Sequence, residues 1–197
     1  MNLPARSQSG VSLIEVLVSM LVLALGMVGL AALQARTVSY QLGSGQRAQL
    51  SGLLADYAER VRSNLNQAPG VAASTDYLYN ATWSDQAADV AAASVDCAAS
   101  GVSCTGAALA SYDMAQWRAA VRRGLPQGSV RVTGDAHTGI EVTFMWTDKD
   151  RTQDGVNGRT LVASAECATS TTGMARQSCC PAGVPDGTRC ANFTVVP

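Results

Sequence analysis

Between Arg6 and Arg36 the chain carries one charged residue, Glu15, set in an apolar run from Val11 to Leu33. A run of about 23 residues is long enough to cross the hydrocarbon core of a bilayer as a helix. A carboxylate inside such a helix costs roughly 2.5–3.5 kcal/mol near its centre, so its presence points to a function. The run follows a short polar leader that ends in Gly10, and the local string reads Ser9-Gly10-Val11-Ser12-Leu13-Ile14-Glu15-Val16-Leu17. A secretory signal peptide would place its apolar core before the cut; here the apolar core follows the leader. An uncleaved signal anchor would account for the apolar run but not for Gly10 or Glu15.

No proline falls between Val11 and Leu65, and Pro69-Gly70 forms a stop signal. A helix of that extent would be roughly 80 Å long at 1.5 Å per residue. Its second half carries Leu50, Leu53, Leu54, Tyr57, Val61 and Leu65 at helical spacing, a stripe suited to packing on a sheet. Asp56 and Arg60 form an i,i+4 pair expected on its solvent face. Gly26, Gly29, Gly43 and Gly45 lie within the segment, each costing about 1 kcal/mol relative to alanine. They suit either close helix packing in a membrane or bending of the helix.

The remainder is rich in alanine, serine, threonine and glycine, with few aromatics, so its core gains little buried area per side chain. Six cysteines, Cys97, Cys104, Cys167, Cys179, Cys180 and Cys190, all follow the apolar run. An even count confined to one side of an anchor reads as disulfides in an oxidising compartment. Cys97 and Cys104 are close enough in sequence to close a local loop. The other four are expected to pair among themselves, with a vicinal Cys179–Cys180 bond disfavoured.

From 68 to 110 the chain lacks periodicity and is read as an irregular connection, anchored by the Tyr77–Tyr79 segment and Trp83. A second helix is expected from Met114 to Arg123, capped by Asp113 with Gln116 and ended by Gly124 and Pro126. The period then changes to two. Val130 and Val132, then Ile140, Val142, Phe144 and Trp146, alternate with Arg131, Glu141, Thr143, Met145 and Thr147 as half-buried antiparallel strands. Gly134 to Gly139 makes the turn. Further strands are expected at Thr160–Ala163 and Asn192–Val196. The sum is an α+β arrangement, a long N-terminal helix packed against a small antiparallel sheet with a disulfide-stapled C-terminal region.

The chain is not expected to be an enzyme. His137, the one histidine, lies in a turn without partners for acid–base work. There is no P-loop, nucleophile elbow or His-Glu-x-x-His motif. Asp148, Asp150, Asp154 and Asn157 loosely resemble a calcium loop, but Gln153 stands where that loop needs glycine, so a solvated hairpin is the reading. No metal and no cofactor are expected. The net charge of −1 lacks the basic cluster that phosphate backbones require, and no nucleic-acid partner is expected.

The Gly10–Leu17 string resembles the type III signal of prepilins, whose peptidase cuts after a glycine and methylates the new N-terminus. The resemblance implies cleavage between Gly10 and Val11, N-methylation of Val11, and Glu15 as the glutamate that guides assembly. Val11 stands where the commonest family residue is phenylalanine, and Ala32 where major pilins commonly carry proline. Gly26-Met27-Val28-Gly29-Leu30, Leu33-Gln34, the Met114–Arg118 helix and Gly124-Leu125-Pro126 look like the type IV pilus modification family of minor pilins (PilV type). That resemblance implies a leader at 1–10, a filament-core helix at 11–33, its continuation at 34–65 and a head at 66–197. It also implies a single-pass inner-membrane precursor with a periplasmic head, later placed at the pilus tip. The implied partners are prepilin peptidase, other minor pilins and major pilin through the N-terminal helix, and a large tip adhesin. A type II secretion pseudopilin, a DNA-binding competence pilin and a membrane-anchored periplasmic binding protein are the alternatives.

Overall fold

The computed structural model of the protein describes residues 12–155 and 158–197. The described residues fall into two compact units, divided between Gly45 and Gln46.

Helix α1 spans Leu13–Ser63, 51 residues, and continues through Gly26, Gly29 and Gly45. Its segment Leu13–Val38 is long and apolar enough to cross a membrane; an 18-residue window within it has a mean hydropathy of 2.6 and is wholly unburied. In the second unit, Leu50, Tyr57 and Val61 face the core and Leu53 and Leu54 pack at its margin, as the stripe requires. Leu65 does not join them. The α-helix ends at Ser63, a 3-10 turn Leu65–Gln67 follows, and Leu65 is exposed because the tighter turn rotates it off the stripe.

Helix α2, Gly106–Gly124, begins eight residues before the expected position. Its cap is Thr105, whose hydroxyl accepts a hydrogen bond from the Ala108 amide at 3.2 Å. Asp113 is therefore no cap. It sits inside α2, buried, where its carboxylate accepts from Arg60 Nη1 at 2.9 Å and from the Tyr77 hydroxyl at 2.7 Å. Arg60 also reaches Asp56 at 3.0 Å, so the pair expected on the solvent face is half-buried and bridges α1 to α2. Trp117, Met114 and Val121 share the buried face of α2, and the Trp117 indole N–H donates to the Leu53 carbonyl at 2.7 Å.

The main sheet has the order β1-β2-β5, wholly antiparallel: β1 Ser129–Asp135, β2 Gly139–Thr147 and β5 Thr188–Val195. Val130 lies opposite Phe144 and Val132 opposite Val142. Phe144 lies opposite Ala191 and Val142 opposite Phe193, so one face is a continuous apolar surface against the helices. Gly134 and Gly139 both have positive φ, and a Cβ on Gly134 would strike the Gly139 carbonyl, so the hairpin turn demands glycine there.

The other face is not open to solvent throughout. Met145, expected to point outward, is buried against Cys180, Cys190, Trp83 and Val184. The cysteine-rich excursion folds back over the sheet and covers it. The disulfides are Cys97–Cys104, Cys167–Cys179 and Cys180–Cys190, with Cα–Cα separations of 5.8, 4.9 and 5.3 Å. Closing loops of 7 to 12 residues contributes roughly 2–3 kcal/mol each in the chain-entropy account.

The strand expected at Thr160–Ala163 is displaced. Thr160 and Leu161 belong to β4, Gly158–Leu161, which pairs with β3, Thr152–Gly155, in a separate two-stranded sheet. Its side chains are mostly exposed, because a hairpin without a packed face buries nothing. Between it and β5 lies the short helix α3, Gly173–Ser178.

Candidate functional site: the amino-terminal helix

The Gly10–Val11 bond, Val11 itself and the leader lie outside the described residues; Ser12 and Glu15 lie within them. Ser12 precedes the first turn of α1, and Glu15 is the acidic residue of that turn. The Ser12 carbonyl accepts from the Glu15 amide at 3.0 Å and the Val16 amide at 3.4 Å. The Glu15 carboxylate reaches back and accepts from the Ser12 amide, with Oε2 at 3.0 Å. This is the glutamate half of a capping box, in which the acid three residues on satisfies a free donor at the helix start. Negative charge is also favoured there by the helix dipole. The Ser12-x-x-Glu15 spacing is the sequence signal for this arrangement, and a reading of Glu15 as a lone charge in an apolar run passes over it.

The position lowers the cost of the carboxylate. Glu15 stands in the first helical turn, near the end of the apolar segment, where the penalty is smaller than at a bilayer centre. Around it, Leu13, Ile14, Leu17 and Val18 are exposed, as are the large apolar residues down to Leu33. Leu13 is 83% exposed and Leu33 65%, so these positions of the run stay largely uncovered among the described residues. Exposed apolar surface on this scale marks a surface that is covered by lipid or by another chain.

A model of the prokaryotic N-terminal methylation motif matches residues 5–31. The match supports a prepilin-like amino terminus, of a type IV pilin or pseudopilin, and the apolar helix with this motif fits a membrane-anchored pilin. The match covers residues 5–10 of the expected leader, Glu15 and most of the apolar run, and none of the head. No curated protein and no solved structure matches the chain.

The other residues singled out in the sequence lie apart from this site. His137 is exposed, in a turn held by Asp135, whose carboxylate accepts from the His137 and Thr138 amides, both at 2.8 Å, and from the Thr138 hydroxyl at 2.6 Å. The Thr138 hydroxyl, with these amides, holds the Asp135 carboxyl below the usual carboxylate range. Asp148 is engaged by Arg189 and by the Asp150 amide, so its oxygens serve the hairpin, while Asp154 faces Arg159 at 3.7 Å. Asn157 lies outside the described residues. Among the described residues no cluster of three or more acidic, histidine or cysteine side chains is placed to hold a metal ion.

One buried polar network in the head was missed by sequence reading. Tyr57 donates its hydroxyl to the Tyr77 carbonyl at 3.1 Å, and Tyr77 donates its own to Asp113. Asn64 donates to the Gly106 carbonyl at 2.7 Å. Burial pushes both tyrosine hydroxyls well above their ordinary pKa, Tyr77 further through its bond to Asp113. The network ties α1, the irregular segment and α2 together. These hydrogen-bonded partners lie 20 to 42 residues apart in sequence, so no local spacing announces the network.

Proposed function

We propose that this protein is a minor pilin of the type IV pilus, cut and methylated by prepilin peptidase and built into a filament through its N-terminal helix. The single observation that carries the reading is Glu15: one carboxylate in the first turn of α1, in an apolar stretch with no other charge before Arg36, inside the methylation motif. Cleavage after Gly10 would create an α-amine on Val11, adjacent to the Ser12 amide that Glu15 already holds. In a filament core that amine is a cation in a low-dielectric medium, and an unpaired buried charge costs several kcal/mol. A carboxylate from Glu15 of a neighbouring subunit pairs with it in register only, so the pair selects correct docking more than it adds strength.

Supporting features are a head stapled by three disulfides, suited to the periplasm and the cell surface, and the PilV-type resemblance of the Met114–Arg118 helix and its Gly124-Leu125-Pro126 end. On this reading the subunit joins other minor pilins at the tip, helps prime assembly of major pilin and helps present a tip adhesin. Its role is structural rather than catalytic. A type II secretion pseudopilin carries the same motif, and co-purification separates the two. Affinity isolation of the full chain from membranes is expected to bring down minor pilins; recovery of secretion components instead selects the pseudopilin. The variant Glu15→Ala is expected to insert in the membrane normally and to be missing from sheared filaments. Equal incorporation of the variant and the parent would remove Glu15 from this role.

A further inference from the structure

The two edges of the main sheet are finished differently. Strand pairing makes backbone groups alternate between neighbour and edge. By this alternation the outward residues of β1 are Val130, Val132 and Gly134, and Ala136 follows past its end. All but Gly134 are occupied: Val130 exchanges two hydrogen bonds with the Gln86 side-chain amide, at 3.0 and 2.9 Å. Val132 exchanges two with the Tyr79 backbone, and the Ala136 amide donates to Pro69. On β5 the outward residues are Thr188, Cys190, Asn192 and Thr194. Thr188 is capped, its amide by the Pro185 carbonyl and its carbonyl by Arg151 and Ser164. The backbone N–H and C=O groups of Cys190, Asn192 and Thr194 have no partner among the described residues.

A groove of about 940 Å³ runs beside these three residues. One wall is α1 with Arg47 and Leu50, the other is α3 with Met174, and Trp146 and Phe193 lie along it. Four arginines line the groove against a single acid, Glu141. Arg176 is paired with that acid, Arg189 with Asp148, and Arg151 is held by carbonyls. Arg47 is exposed and, among the described residues, has no partner.

We propose that the open edge of β5, from Cys190 to Thr194, is a strand-acceptor site for an extended, acidic segment of a partner protein. An added strand supplies donors and acceptors at the spacing these groups present, and alternate side chains fall to the two walls. One set meets Leu50, Trp146 and Phe193, so it is apolar; an acid among its neighbours meets Arg47. A nucleic acid fits worse, because phosphates only accept and would leave the carbonyls of Cys190, Asn192 and Thr194 unmatched. A second copy of this chain, edge to edge, would set one arginine-lined groove against another, a like-charge contact that complexes avoid. The site lies wholly within residues 46–197 and stands apart from the filament reading, since an uncut leader leaves it untouched.

The test uses the full chain in a lipid nanodisc and a blocked hexapeptide alternating valine and glutamate. Saturable binding is expected, with slowed amide exchange at Asn192 and Thr194. The valine–lysine counterpart is expected to bind at least about tenfold more weakly. Thr194→Pro removes an outward N–H at an edge that tolerates proline, and abolishes binding, while Thr194→Val preserves it. Arg47→Glu, on the exposed surface, weakens binding by about tenfold or more without disturbing the fold. The proposal is overturned by lack of saturable binding up to about 1 mM, or by equal binding of the two peptides. It is equally overturned by amide protection from an oligothymidylate strand, or by edge protection through self-association before any peptide is added.

Discussion

From Leu13 to Val38, helix α1 leaves its apolar side chains exposed; from Leu50 to Val61 the same helix hides a stripe against Trp117 and the sheet. Both stretches are helical, yet different forces hold them. In the second, burial, the Trp117–Leu53 bond and the Arg60–Asp113–Tyr77 network are internal to the chain. In the first, the backbone bonds are internal but the apolar side chains stay exposed among the described residues. Stability of the head and placement of the first stretch should therefore respond to different mutations.

The sharpest way to break that contrast is Trp117→Ala. It removes the largest fully buried side chain and the indole bond to the Leu53 carbonyl. A loss of about 3–5 kcal/mol is expected in chemical denaturation of the head, with membrane insertion unchanged. Loss of insertion as well would mean that the two stretches are coupled. Next comes Asp113→Ala, expected to cost about 3 kcal/mol because Arg60 and Tyr77 lose their shared partner. Thermal melts against Asp113→Asn measure how much of that is charge.

Tyr77→Phe is smaller, about 1–2 kcal/mol, and carries a pH signature. Folding raises the tyrosine pKa, so its contribution is complete below the unfolded value of about 10 and fades as pH climbs above it. The parent should lose stability in alkali more steeply than the Phe variant; parallel curves would contradict the network. The smallest effect is at the hairpin turn. The Asp135 carboxyl is held low, so its contribution is present above about pH 4 and lost as pH falls through the folded value. Asp135→Asn should flatten the acid limb of the stability curve slightly and leave the neutral region alone.

How far the sequence disclosed this structure follows from the range of each signal. The proline-free helix, the stripe at Leu50, Tyr57 and Val61, and the alternation through Ile140–Trp146 are local periodicities, and they were legible. The start of α2 was not, because alanine and serine between Thr105 and Asp113 carry little amphipathic pattern and Asp113 mimics a cap. Met145 was misjudged because the disulfide excursion that covers it is far away in sequence. At the amino terminus, the run, Gly10 and Glu15 were plain, while the Ser12–Glu15 capping bond was readable from spacing and overlooked. The open edge of β5 has no local signature, since strand order makes both β1 and β5 edges and it is contacts distant in sequence, from Gln86 and Tyr79, that occupy β1.

Mass measurement of the native, membrane-derived protein tests the central claim most directly. Processing predicts a chain that begins at Val11 with one added methyl group and still carries Glu15. A mature product that retains residues 1–10 in cells with active prepilin peptidase would contradict it.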